Sequence, residues 1–176
     1  MSPVAAGLVV RDATAADIPA LLGLMRGLAA YERYAADFQV TEAVLLAQGF
    51  AGGAPDFEAL LAEEAGAVLG MAVHHMVPFT YRARPTLYLK ELYVAEAGRD
   101  RGAGAALMTA LAQRARARGC ALVKWQVARW NAGAMRFYER LGARPDDGWV
   151  DDQLDAAGIA ALAGAGARDG APGRRD

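Results

Sequence analysis

The stretch that decides the fold is TLYLKELYVAEAGRDRGAGAAL, residues 86–107, where an apolar run gives way to a loop rich in glycine and arginine. Residues 86–94 predict a strand, because aliphatic and aromatic side chains dominate them. Residues 101–118 predict a helix with leucine and alanine along one side. The loop therefore joins the end of a strand to the start of a helix.

The loop itself has the composition of an anion site. Gly102 and Gly104 remove side chains from the first turn of the predicted helix, so main-chain N–H groups can approach a ligand closely. A helix N-terminus favours negative charge, and Arg99 and Arg101 add positive charge beside it. These features indicate a site for a phosphate-bearing ligand. A turn before a solvated basic helix is the alternative, because a short Gly-x-Gly pattern alone is not specific.

Composition restricts the classes of protein that fit. The chain has 176 residues, of which 55% are hydrophobic, so it can bury the core of one domain. Its formal net charge of -1 gives no overall attraction to nucleic acid. A single cysteine excludes an internal disulfide, and no apolar run approaches the length of about 20 residues that spans a bilayer. With no basic and apolar leader at its start, we expect a cytoplasmic protein that binds neither nucleic acid nor membranes.

Periodicity predicts the elements on both sides of the junction. Apolar residues within 14–32 recur at spacings of three and four, which is typical of an amphipathic helix capped by Thr14. The other predicted elements are strand 7–12, a short helix at 41–50, strands 57–64 and 67–77 joined by a turn at Gly66, strand 121–128, a helix at 131–143 that ends at Gly142, and a last strand at 148–154. This order predicts a mixed α/β domain with one central sheet over residues 1–163, followed by a disordered tail at 164–176.

Three further motifs give the sequence a family resemblance. They are LAAYE at 28–32, ARWNAGAMRFYERLGA at 128–143 and DDGW at 146–149, and they accompany the Arg-x-x-Gly-x-Gly loop that begins at Arg99. With the strand LYLKELYV, this set resembles the GNAT superfamily of acyl-CoA-dependent N-acetyltransferases, and within it the spermidine/spermine (diamine) and thialysine N-acetyltransferases. The resemblance implies a single α/β domain of the GNAT type, whose central, mixed and mostly antiparallel sheet has a bulged strand and is flanked by helices.

The resemblance implies acetyl-CoA as the acyl donor, with no metal. In this family the glycine-rich loop holds the pyrophosphate of coenzyme A, and a splayed strand pairs with its pantetheine arm. Carried over to this sequence, the pantetheine would pair with main-chain groups of Leu92, Tyr93 and Val94. The other implied contacts with the coenzyme come from Arg99, Asp100, Arg101, Gly102, Ala103, Gly104, Ala105, Asn131 and Ala134.

Tyr138 matches the family tyrosine that lies near the thioester sulfur, so the resemblance implies that it acts as the general acid. A phenol is protonated at neutral pH and can donate its proton to a departing thiolate. Glu91 and Glu32 are the carboxylates expected to help deprotonate the amine, which attacks the acetyl group directly while both substrates are bound. The alternative role for Tyr138 is that of an aromatic side chain that packs a helix, and the alternative role for Glu91 is a surface ion pair.

The acceptor site departs from the polyamine-acetylating relatives. They carry two consecutive acids where this chain has Lys90 and then Glu91, and the resemblance places Arg82 and Arg84 near the same site. Repulsion of a polycation favours an amine that also carries an anion, such as an amino acid. Neighbouring strand residues face opposite sides, so Lys90 and Glu91 both line the site only if a bulge turns one of them. The residues expected to shape the acceptor site are Tyr31, Glu32, Lys90, Gln126 and Asp147.

Other residues and other functions compete with this assignment. His74 and His75 point to opposite faces of a strand and are expected to pack rather than bind a metal, and Cys120 is expected to be an inert thiol. Acetylation of a protein lysine or N-terminus would use the same coenzyme loop. A non-catalytic binding module would instead use a surface of arginines, namely Arg99, Arg101, Arg114, Arg116 and Arg118. For Arg114, Arg116 and Arg118, which share one predicted helix, the alternative is a solvated helix face. Related enzymes are commonly homodimers, which the resemblance implies here too.

Overall fold

The computed structural model describes residues 7–78, 82–148 and 151–166. The chain divides into two compact units, one that ends at Leu141 and one that starts at Gly142. Within the described ranges, no helix is both long and apolar enough to cross a bilayer.

The first unit is built on a five-stranded sheet. Its strands, in spatial as well as chain order, are β1 (Leu8–Asp12), β2 (Glu58–Glu64), β3 (Ala67–Val77), β4 (Thr86–Val94) and β5 (Leu122–Lys124). Strands β1 to β4 pair antiparallel, and β5 runs parallel to β4. The mixed, mostly antiparallel sheet of the sequence prediction is confirmed.

In the described part of the chain, the four helices of the first unit lie where the periodicity predicted helices, and the second unit holds a fifth that was not predicted. They are α1 (Ile18–Tyr31), α2 (Glu42–Leu45), which continues as a π-helical turn over Leu46–Phe50, α3 (Ala103–Ala117), α4 (Ala132–Arg140) and, in the second unit, α5 (Ala156–Gly166). A short 3-10 turn after Thr14 leads into α1, so the predicted start of this helix is confirmed.

Apolar side chains form one cluster on each face of the sheet. The α1-face cluster is centred on Leu21, Met25, Leu28, Leu61 and Met71. The α3-face cluster is centred on Leu60, Leu87, Leu89, Leu107 and Leu111. Burial of two such layers supplies most of the driving force that holds the sheet between the helices.

Strand β4 contains a bulge at Lys90. On β3, Val73 lies opposite Glu91 and His74 lies opposite Leu89, so Lys90 is the extra residue of β4. A bulge leaves its extra residue out of the ladder and bends the strand. The bulged strand of the sequence prediction is therefore confirmed, and its position is fixed at Lys90.

The bulge reverses the alternation of side chains along β4. In a regular strand, residues an even number apart share a face. Leu89 and Leu92 are three apart, yet both pack in the α3-face cluster, whereas Tyr93 packs in the α1-face cluster. Glu91 consequently shares the α1 side with Tyr93.

Strands β4 and β5 separate after three residue pairs. Residues 86–88 pair with Leu122–Lys124, and β5 then ends, so the strand predicted at 121–128 is shorter than expected. In the part of the chain that the structure describes, no strand covers this edge of β4 from residue 89 to residue 94. A strand edge without a partner can accept a ligand that offers matching hydrogen-bonding groups.

The second unit differs from the sequence prediction. Residues 151–155 form no strand, so the last strand predicted at 148–154 is wrong where the structure describes it; Trp149 lies outside the described residues. Asp155 Oδ1 accepts a hydrogen bond from the Gly158 N–H at 2.8 Å, and alanine fills much of α5. This cap and these side chains favour a helix. Helix α5 also extends to Gly166, inside the predicted tail, whose later residues lie outside the described ones.

An ion-pair cluster ties α3 to the sheet. Arg114 and Arg118 both donate to the carboxylate of Glu58 on β2, at 3.1 and 2.7 Å, and Arg114 also pairs with Asp12 on β1. Arg118 is exposed, as the predicted solvated face requires, whereas Arg114 is half-buried because the sheet brings carboxylates within its reach. Their charges are balanced by the protein itself, which weakens the case for a nucleic-acid-binding surface.

His74 is fully buried beside this cluster. Its Nε2 lies 3.4 Å from Nη1 of Arg114 and 3.9 Å from Oε2 of Glu58. Burial lowers the pKa of His74 to about 4, so the imidazole is neutral at pH 7. His75 instead stacks on Tyr88, with 5.2 Å between ring centroids. Across the described ranges, no group of side chains is arranged to hold a metal ion.

The entry into α1 depends on Asp17. Its carboxylate accepts hydrogen bonds from both terminal nitrogens of Arg11, at 2.9 and 2.8 Å, and from the N–H and hydroxyl of Thr14. The Arg11 guanidinium holds the pKa of Asp17 well below its usual range. We expect Asp17→Asn to lower the free energy of unfolding at pH 7 by about 1–2 kcal/mol, because the ion pair is lost and the cap is weakened.

Urea unfolding measures this loss, with Asp56→Asn at an exposed carboxylate as the control. Because the native pKa of Asp17 is lowered, its stabilisation is complete above the unfolded-state pKa and disappears as the pH falls through the native pKa. A stability difference that stays constant down to strongly acidic pH would contradict this assignment.

Candidate active site

The side chains at the end of α1 and in the turn after it differ in their exposure to solvent. Tyr31 and Arg33 are exposed, whereas Glu32 and Tyr34 are half-buried. The chain turns sharply here, because Arg33 has a φ of 66°, in the left-handed region. Hydrogen bonds from the N–H groups of Glu32 and Tyr34 to the last turn of α1 fix the turn. The acid and one phenol therefore lie inside, and the arginine lies outside.

Glu91 supplies a second acid on the same side of the sheet. Its Oε2 is buried and has no hydrogen-bond partner within the described residues. Burial raises the pKa of Glu91, the charge of Glu32 raises it further, and Lys90 opposes both effects. A carboxylate with a raised pKa binds a proton more readily near neutral pH, which suits a general base.

Tyr138 of α4 is a half-buried phenol on which the charge of Glu32 acts. Its ring contacts those of Trp125 and Phe137, with centroids 4.9 and 5.2 Å away. Burial, with a smaller contribution from the charge of Glu32, raises the pKa of Tyr138 to about 12. The phenol is therefore protonated at neutral pH and can act as a proton donor.

Tyr34 is a site residue that the sequence reasoning missed. Burial raises its pKa to about 12, and the charges of Glu91 and Glu32 add to this effect. Glu32 thus acts electrostatically on Tyr34, Glu91 and Tyr138, so these three groups share one charged neighbour. The signal in the sequence was the run of aromatic and charged residues from Tyr31, at the end of α1, to Tyr34.

A second part of the site lies at the start of α3. Gly102 is the N-cap of this helix and has a φ of 84°, which favours glycine. Asp100, two residues earlier, has a φ of 60°. The first N–H groups of a helix lack partners within it and can bind an anion. The predicted helix start and glycine-rich loop are present, with their backbone in the expected conformation.

Gly104, Arg101 and Arg99 of the glycine-rich loop each contact a different part of the first unit. A side chain on Gly104 would place its Cβ 3.3 Å from Cζ of Phe137, so this glycine also allows α4 to pack on α3. Arg101 forms an ion pair with Glu64 of β2. Arg99 donates to the carbonyl of Val94, with 3.4 Å from Nε to the oxygen. Of the two predicted phosphate-binding arginines, Arg99 lies nearer the end of β4.

The start of α4 is capped by Asn131. Its Oδ1 accepts a hydrogen bond from the N–H of Ala134 at 3.0 Å. Both residues were expected to contact the coenzyme, and this contact stays a prediction. The hydrogen bond shows an additional structural role for Asn131, since the Asn cap satisfies one of the free N–H groups of the helix.

The acceptor-site roles expected for Gln126 and Asp147 stay predictions. Gln126 is exposed after β5, and Asp147 is exposed in the second unit. Arg84, expected near the acceptor, instead donates to the carbonyls of Gly119 and Cys120 at 2.8 and 3.1 Å. These carbonyls follow the C-terminus of α3, which attracts cations and lies at the opposite end of the helix from Gly102.

Comparison with known proteins identifies the family. The chain belongs to the acetyltransferase (GNAT) family, whose sequence profile matches residues 26–143. Among curated relatives, the thialysine N-epsilon-acetyltransferase of Sus scrofa is 29% identical over 170 residues, which cover 90% of this chain and 99% of the relative. The spermidine/spermine N(1)-acetyltransferase-like protein 1 of Homo sapiens is 32% identical over 152 residues, covering 80% of this chain and 21% of that protein. The protein is thus an N-acetyltransferase, as the resemblance predicted.

Solved structures share the fold. An integron cassette protein of V. cholerae superposes with a TM-score of 0.76 at 23% identity, covering 90% of this chain and 99% of that one. An aminoglycoside acetyltransferase from an uncultured soil metagenomic sample, in complex with sisomicin, has a TM-score of 0.71 at 19% identity, covering 85% and 96%. At these identities the likeness establishes the fold, and it confirms the predicted fold class.

The buried carboxylate of Glu91 is expected to reduce the stability of the fold. Because the pKa of Glu91 is higher in the native state than in the unfolded chain, the unfolded chain releases the proton first as the pH rises. The wild type therefore loses stability between the unfolded-state pKa and the native pKa. We therefore expect Glu91→Gln to be more stable than the wild type at pH 7. Below the ordinary pKa of glutamate, this gain should vanish, because both states are then protonated.

Thermal unfolding from pH 4 to pH 8 tests this expectation. The control is Glu42→Gln, which removes an exposed carboxylate from the first turn of α2 and should show no such gain. A Glu91→Gln variant that is less stable than the wild type at pH 7 would show that Glu91 is a stabilising residue.

Proposed function

We propose that this N-acetyltransferase transfers the acetyl group of acetyl-CoA to the primary amine of a small molecule, by direct attack while both substrates are bound. The observation that carries the proposal is the grouping of Glu91, whose carboxylate is buried and incompletely hydrogen-bonded, with Glu32 and the protonated Tyr138. Acids that can take a proton thus lie near a phenol that can give one. A cytoplasmic homodimer is proposed as well, on the strength of the sequence resemblance.

The residues near β4 and α3 fit acetyl-CoA. The open edge of β4 from residue 89 to residue 94 suits the amide groups of a pantetheine arm. Gly102 presents the N-terminus of α3 without a side chain, which suits the pyrophosphate. Arg99, at the end of β4, can add a charge-assisted hydrogen bond to the same anion.

The proton balance of the reaction assigns a role to each group. An aliphatic amine is charged at neutral pH and attacks only after it loses a proton. Glu91, or water held between Glu91 and Glu32, takes that proton as the new N–C bond forms. The C–S bond then breaks, and Tyr138 gives its proton to the departing sulfur. The acids also attract the ammonium to the site, together with the negative C-terminal end of α1.

The residue at the bulge favours an acceptor that resembles an amino acid. Lys90 is exposed, and its charge acts on the adjacent Glu91. A second cationic group of a polyamine would be repelled here, whereas a carboxylate would be attracted. The thialysine N-epsilon-acetyltransferase relative, which aligns over nearly its full length, supports the same class of acceptor.

Steady-state kinetics with a panel of amines tests the function. We expect thiol release from acetyl-CoA with thialysine or lysine, and lower kcat/KM with spermidine and spermine, because Lys90 repels polycations. Reversal of charge in Lys90→Glu should shift the preference toward spermidine by about tenfold, since opposite charges near a protein surface interact by a few kcal/mol before desolvation. Spermidine as the best wild-type substrate, or acetylation of peptides alone, would overturn the acceptor assignment.

The proton donor is tested by Tyr138→Phe. We expect kcat to fall about 10²-fold with little change in the affinity for coenzyme A, because the hydroxyl is lost while the ring remains. Tyr88→Phe is the matched control, since Tyr88 stacks on His75 and is outside the proposed site. Full turnover in the Tyr138→Phe variant would remove this residue from the mechanism.

A further inference from the structure

A surface of aromatic rings and guanidinium groups lies beside the acidic part of the site. We call it the aromatic-arginine rim, and it consists of Tyr31, Arg33, Arg99 and Trp130. The ring centroids of Tyr31 and Trp130 are 5.7 Å apart. The guanidinium carbon of Arg33 lies 5.9 Å from the Trp130 centroid, and that of Arg99 lies 5.6 Å from the Tyr31 centroid. The rim therefore connects the end of α1 with the loops that precede α3 and α4.

The rim is open to solvent. Tyr31 is 44% exposed and Trp130 is 53% exposed, which is a large apolar area for two adjacent aromatic side chains. Stacking on a ring holds a guanidinium group in a defined position while its N–H donors stay available. The two arginines are thus positioned by the rings and can still bind a ligand.

The charges of the rim are not balanced within the described chain. Arg101, Arg114 and Arg118 each form an ion pair with a glutamate of β2. Across residues 7–78, 82–148 and 151–166, neither Arg33 nor Arg99 pairs with a carboxylate in this way. An exposed cation held on an aromatic ring and lacking an internal partner is suited to an external anion.

The rim and the acids are placed by the same four residues. Glu32 and Tyr34 are half-buried and belong to the electrostatic group around Glu91, whereas Tyr31 and Arg33 are exposed and belong to the rim. One peptide unit separates the acid Glu32 from the base Arg33. The turn therefore carries negative charge on its half-buried side and positive charge at the surface.

We propose that the aromatic-arginine rim is a subsite for the carboxylate of the acceptor, with Arg33 as its main ligand, so that the enzyme selects an ω-amino acid and holds its amine against the acids. This inference rests on the proposed function, because it concerns the acceptor of the same site. It adds a residue outside β4 that determines specificity. The aliphatic part of the acceptor would lie along the rings of Tyr31 and Trp130.

Arg33 rather than Arg99 is the residue to test. Arg99 also contacts the carbonyl of Val94 and is expected to bind the coenzyme, so its substitution would alter two functions. Arg33 has only its contact with the ring of Trp130 among the described residues. Arg26, an exposed arginine earlier on α1, provides a matched control.

The experiment compares L-lysine with cadaverine, which is the same amine without the carboxylate. We expect Arg33→Gln to lower kcat/KM for lysine about tenfold, mainly through KM, and to leave cadaverine within about twofold, because a charge-assisted hydrogen bond is lost only with lysine. Arg33→Lys keeps the charge and should restore part of the loss. Arg26→Gln should change neither substrate.

Calorimetry provides a second measurement that does not require turnover. Nε-acetyl-lysine and N-acetylcadaverine are titrated into the wild type and into Arg33→Gln. We expect Arg33→Gln to bind Nε-acetyl-lysine more weakly than the wild type does, and to bind N-acetylcadaverine with unchanged affinity. If the wild type acetylates neither amine, the proposed function is wrong, and the calorimetry still decides whether the rim binds a carboxylate. Equal losses for both compounds, or no change for either in kinetics and calorimetry, would overturn the subsite.

Discussion

The bulge at Lys90 is the constraint on which the site depends. If Lys90 were paired as a regular strand residue instead of bulging out of the ladder, alternation from Leu89 would turn Glu91 toward the α3 face, where Leu89 and Leu107 pack in an apolar cluster. A carboxylate there would be buried without a partner, at a cost of several kcal/mol or with loss of its charge. The bulge thus keeps the acid on the α1 side, where the charge of Glu32 acts on it, and leaves Lys90 exposed beside it.

The placement of Glu91 and Glu32 on one side of the sheet lowers the stability of the fold, and packing elsewhere in the first unit offsets this loss. Among the residues that the structure describes, Glu91 has a buried oxygen without a hydrogen-bond partner, and Glu32 lies at the negative end of α1. Two apolar layers and the ion pairs of Glu58 with α3 hold the sheet rigid around these groups. An incompletely satisfied acid is the property that lets the site accept a proton, so stability and function oppose each other at this point.

Local pattern was enough to predict β4, the hairpin of β2 and β3, and the glycine-rich start of α3. Each of these depends on residues close together in sequence. The prediction failed where distant residues decide the outcome. The pairing of Arg114 with Glu58 spans two elements, and the length of β5 is set by its three pairs with residues 86–88 of β4, which lie far earlier in the chain. The last strand was wrong because Asp155 caps a helix instead. Tyr34 was missed because its burial depends on the turn at Arg33.

The residue proposed to select the acceptor and the residues proposed to transfer protons lie on different segments of the chain. The groups that we propose to move protons lie on β4 and α4, whereas Arg33 lies on a turn held by hydrogen bonds to α1. Side chains on an exposed turn can change with little effect on the packed core. The outer residues of this turn can therefore vary to suit the acceptor, while Glu91 and Tyr138 keep the geometry of transfer.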